Sequence, residues 1–257
     1  MEDFTITHIG HTELSLPMPF KYIPAKGKTF IFQADDGTEY GTKKEGIPII
    51  FENDFWMCAY PCTQEFWTAV IRASDWKDLN PKPSNFKGKT RPVEQVSWDD
   101  IQIFNKALNS LFNNQGLIVD NKPQIDGQFG LPSEIQWEFA AWAGQYTVFA
   151  GSDYLDDVGW YNANSNRQTM PVGLKQPNVF GLYEMSGNVT EWCENELEDI
   201  EKSQKDKLEG ALKALRGAGY PGNVEQCRIM QRLHGLPSLR YSNFGFRLIF
   251  STSSNEN

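Results

Sequence analysis

Apolar residues recur at helical spacing in three short stretches of the chain, and each stretch follows a residue that commonly caps a helix. The first stretch follows Thr63, the second follows Ser97 and the third follows Ser133. Ser97 has an aspartate and Ser133 has a glutamine three positions later, which is the pattern of a capping box. We therefore predict three helices, the last of which ends at Gly144.

Outside these helices, the apolar runs of the chain are brief and turn-forming residues are frequent. Residues 12–60 contain brief apolar runs separated by Pro and Gly, which predicts strands joined by turns. Residues 75–92 and 144–180 are rich in polar and turn-forming residues and predict loops. The charged run at 194–213 predicts either a solvated insertion or a surface helix. Together these elements predict one α+β domain over residues 1–257.

The C-terminal stretch, residues 215–250, follows neither a helical nor a strand period. Arginine, glycine and proline mark a frame along it, and between them aromatic, aliphatic, small and polar residues are mixed without order. Such a mixture is typical of a surface that contacts a ligand. An irregular loop that lines the core would use the same residue types, so the residues alone leave both interpretations open.

Composition and charge exclude some classes of protein. The chain has 24 basic and 33 acidic residues, a net charge of -9, and shows no basic face, so we expect no nucleic-acid partner. No apolar run is long enough to span a membrane, and the first twenty residues or so lack the layout of a signal peptide. The four cysteines, Cys58, Cys62, Cys193 and Cys227, do not have zinc-site spacing, and we expect reduced, partly buried thiols.

Four segments resemble the formylglycine-generating enzyme (sulfatase-modifying factor) family. They are residues 91–104, 130–144, 170–195 and 215–248, which follow the family order. The resemblance covers about residues 50–250 of the chain. It implies the α+β fold that this family shares with C-type lectins, with small, mostly antiparallel sheets, two to three helices and long irregular loops.

The enzymes of that family oxidise a substrate cysteine with a copper ion held by two thiolates, which are soft ligands that suit Cu(I). At the matching positions the chain keeps the second cysteine as Cys227, whereas the first is Gly222. The motif's serine is Gly219, and a motif tryptophan is Thr190. We therefore expect neither bound copper nor the oxidase activity, and we expect Cys227 to be a core thiol rather than a nucleophile.

The resemblance also implies a calcium site within residues 184–191. The matching ligands would be the side chains of Glu184 and Glu191 and the carbonyls of Gly187 and Val189. These are the hard oxygen donors that calcium takes. The alternative interpretation is a tight glycine turn flanked by two exposed acids.

The C-terminal frame resembles that of the variable proteins of diversity-generating retroelements, which use the same fold. The frame runs without a gap from Cys227 to Arg247. In those proteins the residues between the frame positions are exposed and form the ligand-binding face. The matching residues of this chain are Tyr220, Gly222, Asn223, Gln231, Leu233, His234, Gly235, Leu236, Leu239, Tyr241, Ser242 and Asn243. We expect the framing arginines to brace the loop through acids and carbonyls rather than to contact a ligand; they are Arg228, Arg232, Arg240 and Arg247.

The sequence thus predicts a non-catalytic binding protein whose C-terminal loop face binds a protein or cell-surface ligand. One alternative is an enzyme, either a formylglycine-generating oxidase or a relative with altered chemistry. Another is a structural module of a larger assembly. Gly222, which replaces the first active-site cysteine, is the feature that argues against the enzyme.

Overall fold

The computed structural model describes residues 1–32, 46–76, 78–123, 126–196 and 212–252. The strands in these ranges are β1 Phe4–Ile9, β2 Thr12–Ile23, β3 Thr29–Phe32, β4 Ile47–Ile50, β5 Phe55–Cys58, β6 Leu117–Asp120, β7 Gly127–Gly130, β8 Thr190–Glu196, β9 Lys213–Arg216, β10 Arg232–Gly235, β11 Phe244–Gly245 and β12 Ile249–Thr252. The helices are α1 Gln64–Ala73, α2 Trp98–Asn113, α3 Glu134–Trp142 and α4 Leu155–Val158, and Glu225–Cys227 forms a 3-10 turn.

The strands form three small sheets. A six-stranded antiparallel sheet has the order β6-β1-β2-β5-β12-β7, and β3 pairs with β4 in a two-stranded sheet. The remaining sheet has the order β10-β9-β8-β11, in which only β11 runs parallel to its neighbour β8. The predicted α+β architecture of small, mostly antiparallel sheets is confirmed.

The three predicted helices are present with the predicted N-terminal caps. The Thr63 side chain accepts a hydrogen bond from the third residue of α1, and both serines form complete capping boxes at α2 and α3. Helix α3 ends at Trp142 and is capped by Ala143, whose φ of 49° is left-handed, so the cap lies one residue before the expected Gly144. The predicted loop at 144–180 contains the four-residue α4, which is too short to leave a periodic pattern.

The predicted insertion or surface helix at 194–213 is described only at its ends. The N-terminal end continues strand β8 and the C-terminal end begins strand β9. Residues 197–211 lie outside the described ranges. No helix within the described ranges is long and apolar enough to cross a membrane.

The main core packs α1 and α2 against the six-stranded sheet and continues into the sheet that carries the C-terminal segment. The Trp67 ring of α1 stacks on the Phe104 ring of α2 with centroids 4.7 Å apart. Phe246, next to β11, contacts both rings edge-on, and Trp192 and Leu215 belong to the same buried cluster. The C-terminal segment is therefore anchored in the core on both sides of its loops.

Candidate ligand-binding face

Arginine ion pairs hold the inner edge of the C-terminal segment. Arg216 of β9 is fully buried and lies 3.2 Å from Glu134 and 2.5 Å from Glu138, both on α3. Arg232 of β10 is the cross-strand partner of Arg216 and binds Glu134 through its Nε and Nη2 at 2.6 and 2.5 Å. Two strands of the segment are thus fixed to one helix by a shared carboxylate.

Two further arginines fix the outer part of the segment. Arg240 binds both carboxylate oxygens of Asp100 at 2.7 Å, and Asp100 is also the capping-box residue of α2. Arg247 is fully buried and donates to both oxygens of Glu191 at 2.8 Å and to the carbonyl of Tyr183 at 2.7 Å. The expectation that framing arginines brace the loop is confirmed for Arg232, Arg240 and Arg247.

Most of the residues between these anchors reach the surface. Leu233 is 40% exposed and Tyr241 is 50% exposed, which is high for large apolar side chains. We call the surface-reaching subset of the predicted positions the display face. It consists of the exposed residues Asn223, Leu233, His234 and Tyr241 and the half-buried residues Gln231, Leu236, Leu239, Ser242 and Asn243.

Three predicted positions are buried, which corrects the expectation that all twelve are exposed. The Tyr220 ring packs edge-on against Phe86, and its hydroxyl lies 3.0 Å from the Ser242 hydroxyl. A Cβ on Gly235 would lie 3.1 Å from the Trp192 ring, so this position faces the core. A Cβ on Gly222 would lie 3.1 Å from the carbonyl oxygen of Gly219.

The positions that match the oxidase motif do not form a reactive thiol site. Cys227 is fully buried in a small apolar cluster, and burial raises the pKa of its thiol to about 12. Since the thiolate is the nucleophile and the metal ligand, this cysteine is inert near neutral pH. A Cβ on Gly219 would lie 2.9 Å from the Asn243 Cβ, so a serine does not fit there without movement. The prediction that Cys227 is a core thiol is confirmed.

Of the two carboxylates predicted to bind calcium, Glu191 is already engaged by other side chains. Glu191 is fully buried, and Arg247 binds both of its oxygens. The indole nitrogen of Trp137 also donates to Glu191, at 2.7 Å. A cation at Glu191 would have to displace a guanidinium group that is already positively charged.

The second predicted carboxylate is also buried and is not an exposed acid beside a turn. Glu184 Oε1 accepts a hydrogen bond from the Gly173 amide at 2.9 Å, whereas Oε2 is buried without a partner. Burial raises the pKa of Glu184 to about 8, which favours the neutral acid. Gly187 closes the turn, since a Cβ there would lie 2.4 Å from the Trp160 carbonyl oxygen.

The geometry of this donor set fits a calcium ion poorly, because one of its two carboxylates, Glu191, is already paired with the buried Arg247. Within the ranges that the structure describes, no group of three or more His, Cys, Asp or Glu side chains could hold a metal. Calcium binding through Glu184, Gly187, Val189 and Glu191 stays a prediction, and these contacts do not support it.

A cavity that the sequence did not indicate lies beside the display face. It has a volume of about 580 Å³ and lies between residues 78–87 and the pair Arg240–Asp100. The amide of Gln95, at the cavity wall, donates to the carbonyl of Tyr241 at 3.0 Å. The sequence of residues 78–87 has no periodic pattern that would predict this cavity. The cavity becomes visible only in the folded structure, where this loop packs against α1.

Comparison with known proteins gives one family and a consistent fold. Residues 29–252 match the family described as sulfatase-modifying factor enzyme 1-like domain. The chain is 30% identical over 217 residues to the chaperone protein LppX of Paenibacillus barcinonensis, covering 69% of this chain and 73% of that protein. It is 25% identical over 206 residues to the formylglycine-generating enzyme of Streptomyces coelicolor, covering 70% of this chain and 60% of the enzyme.

Among solved structures, variable protein 1 of Treponema denticola has a similar fold. Its TM-score is 0.75 at 24% identity, and the match covers 96% of this chain and 98% of that one. At this identity the similarity shows the fold alone.

Proposed function

The chain belongs to the sulfatase-modifying factor enzyme 1-like family, and we propose that it is a non-catalytic member that binds a ligand through its display face. The observation that carries this proposal is the separation between anchors and surface residues within one segment. Arg216 and Arg247 are fully buried in ion pairs, while Leu233 and Tyr241 between them are 40% and 50% exposed. A rigid support that presents variable-looking side chains is the usual design of a binding loop.

The residues at the oxidase positions support a non-catalytic role. A Cu(I) site of the family type needs two thiolates, and at the matching positions the chain provides only Cys227, whose thiol is buried and has a raised pKa. Gly222 and Gly219 occupy the positions where the motif has its first thiol and its serine hydroxyl. Cys227 instead packs with Phe149, Tyr161 and Ala218 as part of the structure.

The composition of the display face fits a protein ligand. It combines an exposed aliphatic side chain, an exposed aromatic side chain and several amide and hydroxyl groups. Aromatic anchors surrounded by adaptable polar groups are typical of protein interfaces. The Paenibacillus relative is a chaperone, a class of protein that acts on other polypeptides.

A capture experiment with matched variants tests the binding role. The full chain is immobilised and exposed to an envelope extract of the source organism, and bound proteins are quantified by mass spectrometry. We expect Leu233→Asp with Tyr241→Asp to abolish capture of the specific partner. The control is Tyr146→Asp, since Tyr146 is 98% exposed and lies outside the face. Equal capture by the face variant and the control would contradict the proposal.

A second assay addresses the enzyme alternative. The protein is incubated with copper, oxygen and a peptide that contains Cys-x-Pro-x-Arg, and the mass of the peptide is followed over time by mass spectrometry. We expect the unmodified peptide to be lost no faster than in a control without the protein. Conversion of the thiol to an aldehyde that Cys227→Ser abolishes would establish the oxidase.

A further inference from the structure

The groove between α1 and the loop at residues 81–89 is basic, although the whole chain is acidic. The cavity in this groove has a volume of about 720 Å³. Four cationic side chains line it, namely Arg72, Lys82, Lys87 and Lys89, together with one carboxylate, Glu65. Four positive charges and one negative charge give the groove a net charge of +3, whereas the chain has a net charge of -9.

The single carboxylate is already neutralised from within the protein. Glu65 pairs with the Lys89 ammonium at 3.1 Å and accepts hydrogen bonds from the amide and hydroxyl of Ser15. In the described part of the chain no carboxylate lies within ion-pair distance of Arg72, Lys82 or Lys87. Among the described residues, Arg72 and Lys82 therefore line the groove without an acidic partner. The Lys87 ammonium already donates to the carbonyls of Lys82 and Ser84 and interacts electrostatically with Glu94.

Hydrogen bonds from α1 hold the loop in place, so the groove is formed before any ligand arrives. The Thr68 hydroxyl donates to the carbonyl of Pro81 at 2.7 Å, and the Trp67 indole donates to the carbonyl of Asn80 at 2.9 Å. The Gln64 side chain contacts the loop twice, through the Phe86 carbonyl and the Gly88 amide. A preformed groove lowers the entropic cost of binding.

The floor of the groove is apolar. Trp67, Ala69 and Val93 form it, all of them almost fully buried, and Pro81 and Pro83 form the rim. An apolar floor below a ring of cations suits a ligand that combines carboxylates with apolar side chains. It suits a nucleic acid less well, because phosphate backbones are bound by extended basic faces and the rest of this chain repels them.

We propose that this groove binds an acidic peptide segment of a partner protein, with carboxylates at Arg72 and Lys82 and an apolar side chain on the floor. The groove shares no residue with the display face. The proposal therefore stands or fails independently of the proposed function.

Fluorescence polarisation with a labelled peptide of alternating glutamate and leucine tests this site on the full chain. We expect saturable binding that weakens as salt is raised, because the contacts are between solvent-accessible charges. The same peptide with glutamine in place of glutamate should not bind. The double variant Arg72→Gln with Lys82→Gln should raise the dissociation constant by about tenfold, from the loss of two surface ion pairs.

The matched control removes two positive charges elsewhere, with Lys26→Gln and Lys106→Gln, both exposed side chains outside the groove. It should bind like the unchanged protein, and melting curves check that each variant is folded. Equal binding of the glutamine peptide, or equal weakening in the control, would overturn the proposal. So would saturable binding of a single-stranded oligonucleotide at this groove with none of the acidic peptide.

Discussion

Replacing Leu233 by alanine should cost much less stability than replacing Leu215, although the two residues are direct partners across β10 and β9. The change removes three carbon groups, which at about 0.8 kcal/mol each is about 2.4 kcal/mol for a fully buried leucine. Leu233 is 40% exposed, so about three fifths of this, about 1.4 kcal/mol, is lost at most. No enclosed cavity forms at a surface site. Leu215 is fully buried, and its truncation adds a cavity cost, so we expect about 3–5 kcal/mol.

Urea denaturation followed by circular dichroism measures both free energies of unfolding. The two variants should keep the same dependence on urea, which shows that a change in midpoint reports stability alone. A loss of 3 kcal/mol or more for Leu233→Ala, about the core value, would refute the reasoning. The segment would then line the core, and the assignment of Leu233 to an exposed binding face would be wrong.

Three further perturbations test buried carboxylates of the protein. Glu134→Ala should destabilise the fold by about 3–5 kcal/mol and lower the melting temperature, because it removes a buried carboxylate shared by Arg216 and Arg232. Calcium should leave the melting temperature unchanged, because Arg247 occupies Glu191; a rise that Glu191→Gln abolishes would establish the metal site. Burial raises the pKa of Glu94 to about 7 from the usual 4.5, so the folded state favours the neutral acid. Stability should therefore fall as pH rises from about 4.5 to about 7, and Glu94→Gln should reduce this pH dependence of the melting temperature. The dependence that remains should come from Glu184, whose pKa is also raised by burial.

The helices could be predicted because their determinants are local. The side chains that cap the helices each accept a hydrogen bond from the backbone amide three positions later. A short window of sequence therefore contains both donor and acceptor at Thr63, Ser97 and Ser133. The apolar stripes that follow are set by the same helical period. The thiol state of Cys227 could also be predicted, because its missing partner lies within the same motif.

The burial of individual loop residues could not be predicted, since it depends on contacts between distant parts of the chain. Strand β10 has only four residues, too few to show an alternating pattern. Gly235 faces the core because Trp192, Leu215 and Leu239, which come from other parts of the chain, pack around it. Glu191 was expected to bind an ion, and its actual partner, Arg247, comes 56 residues later.

The two energetic classes within the segment limit which positions can change without loss of the fold. Surface substitutions usually change stability by no more than about 0.5 kcal/mol, whereas breaking a buried ion pair costs about 3–5 kcal/mol. Asn223 and His234 are exposed and fall in the first class, while Arg216 and Arg247 fall in the second. A larger residue at Gly235 would have to move the Trp192 ring, so this position belongs with the anchors although it lies between display residues. The tolerance of the segment therefore follows burial and not the spacing of its sequence frame.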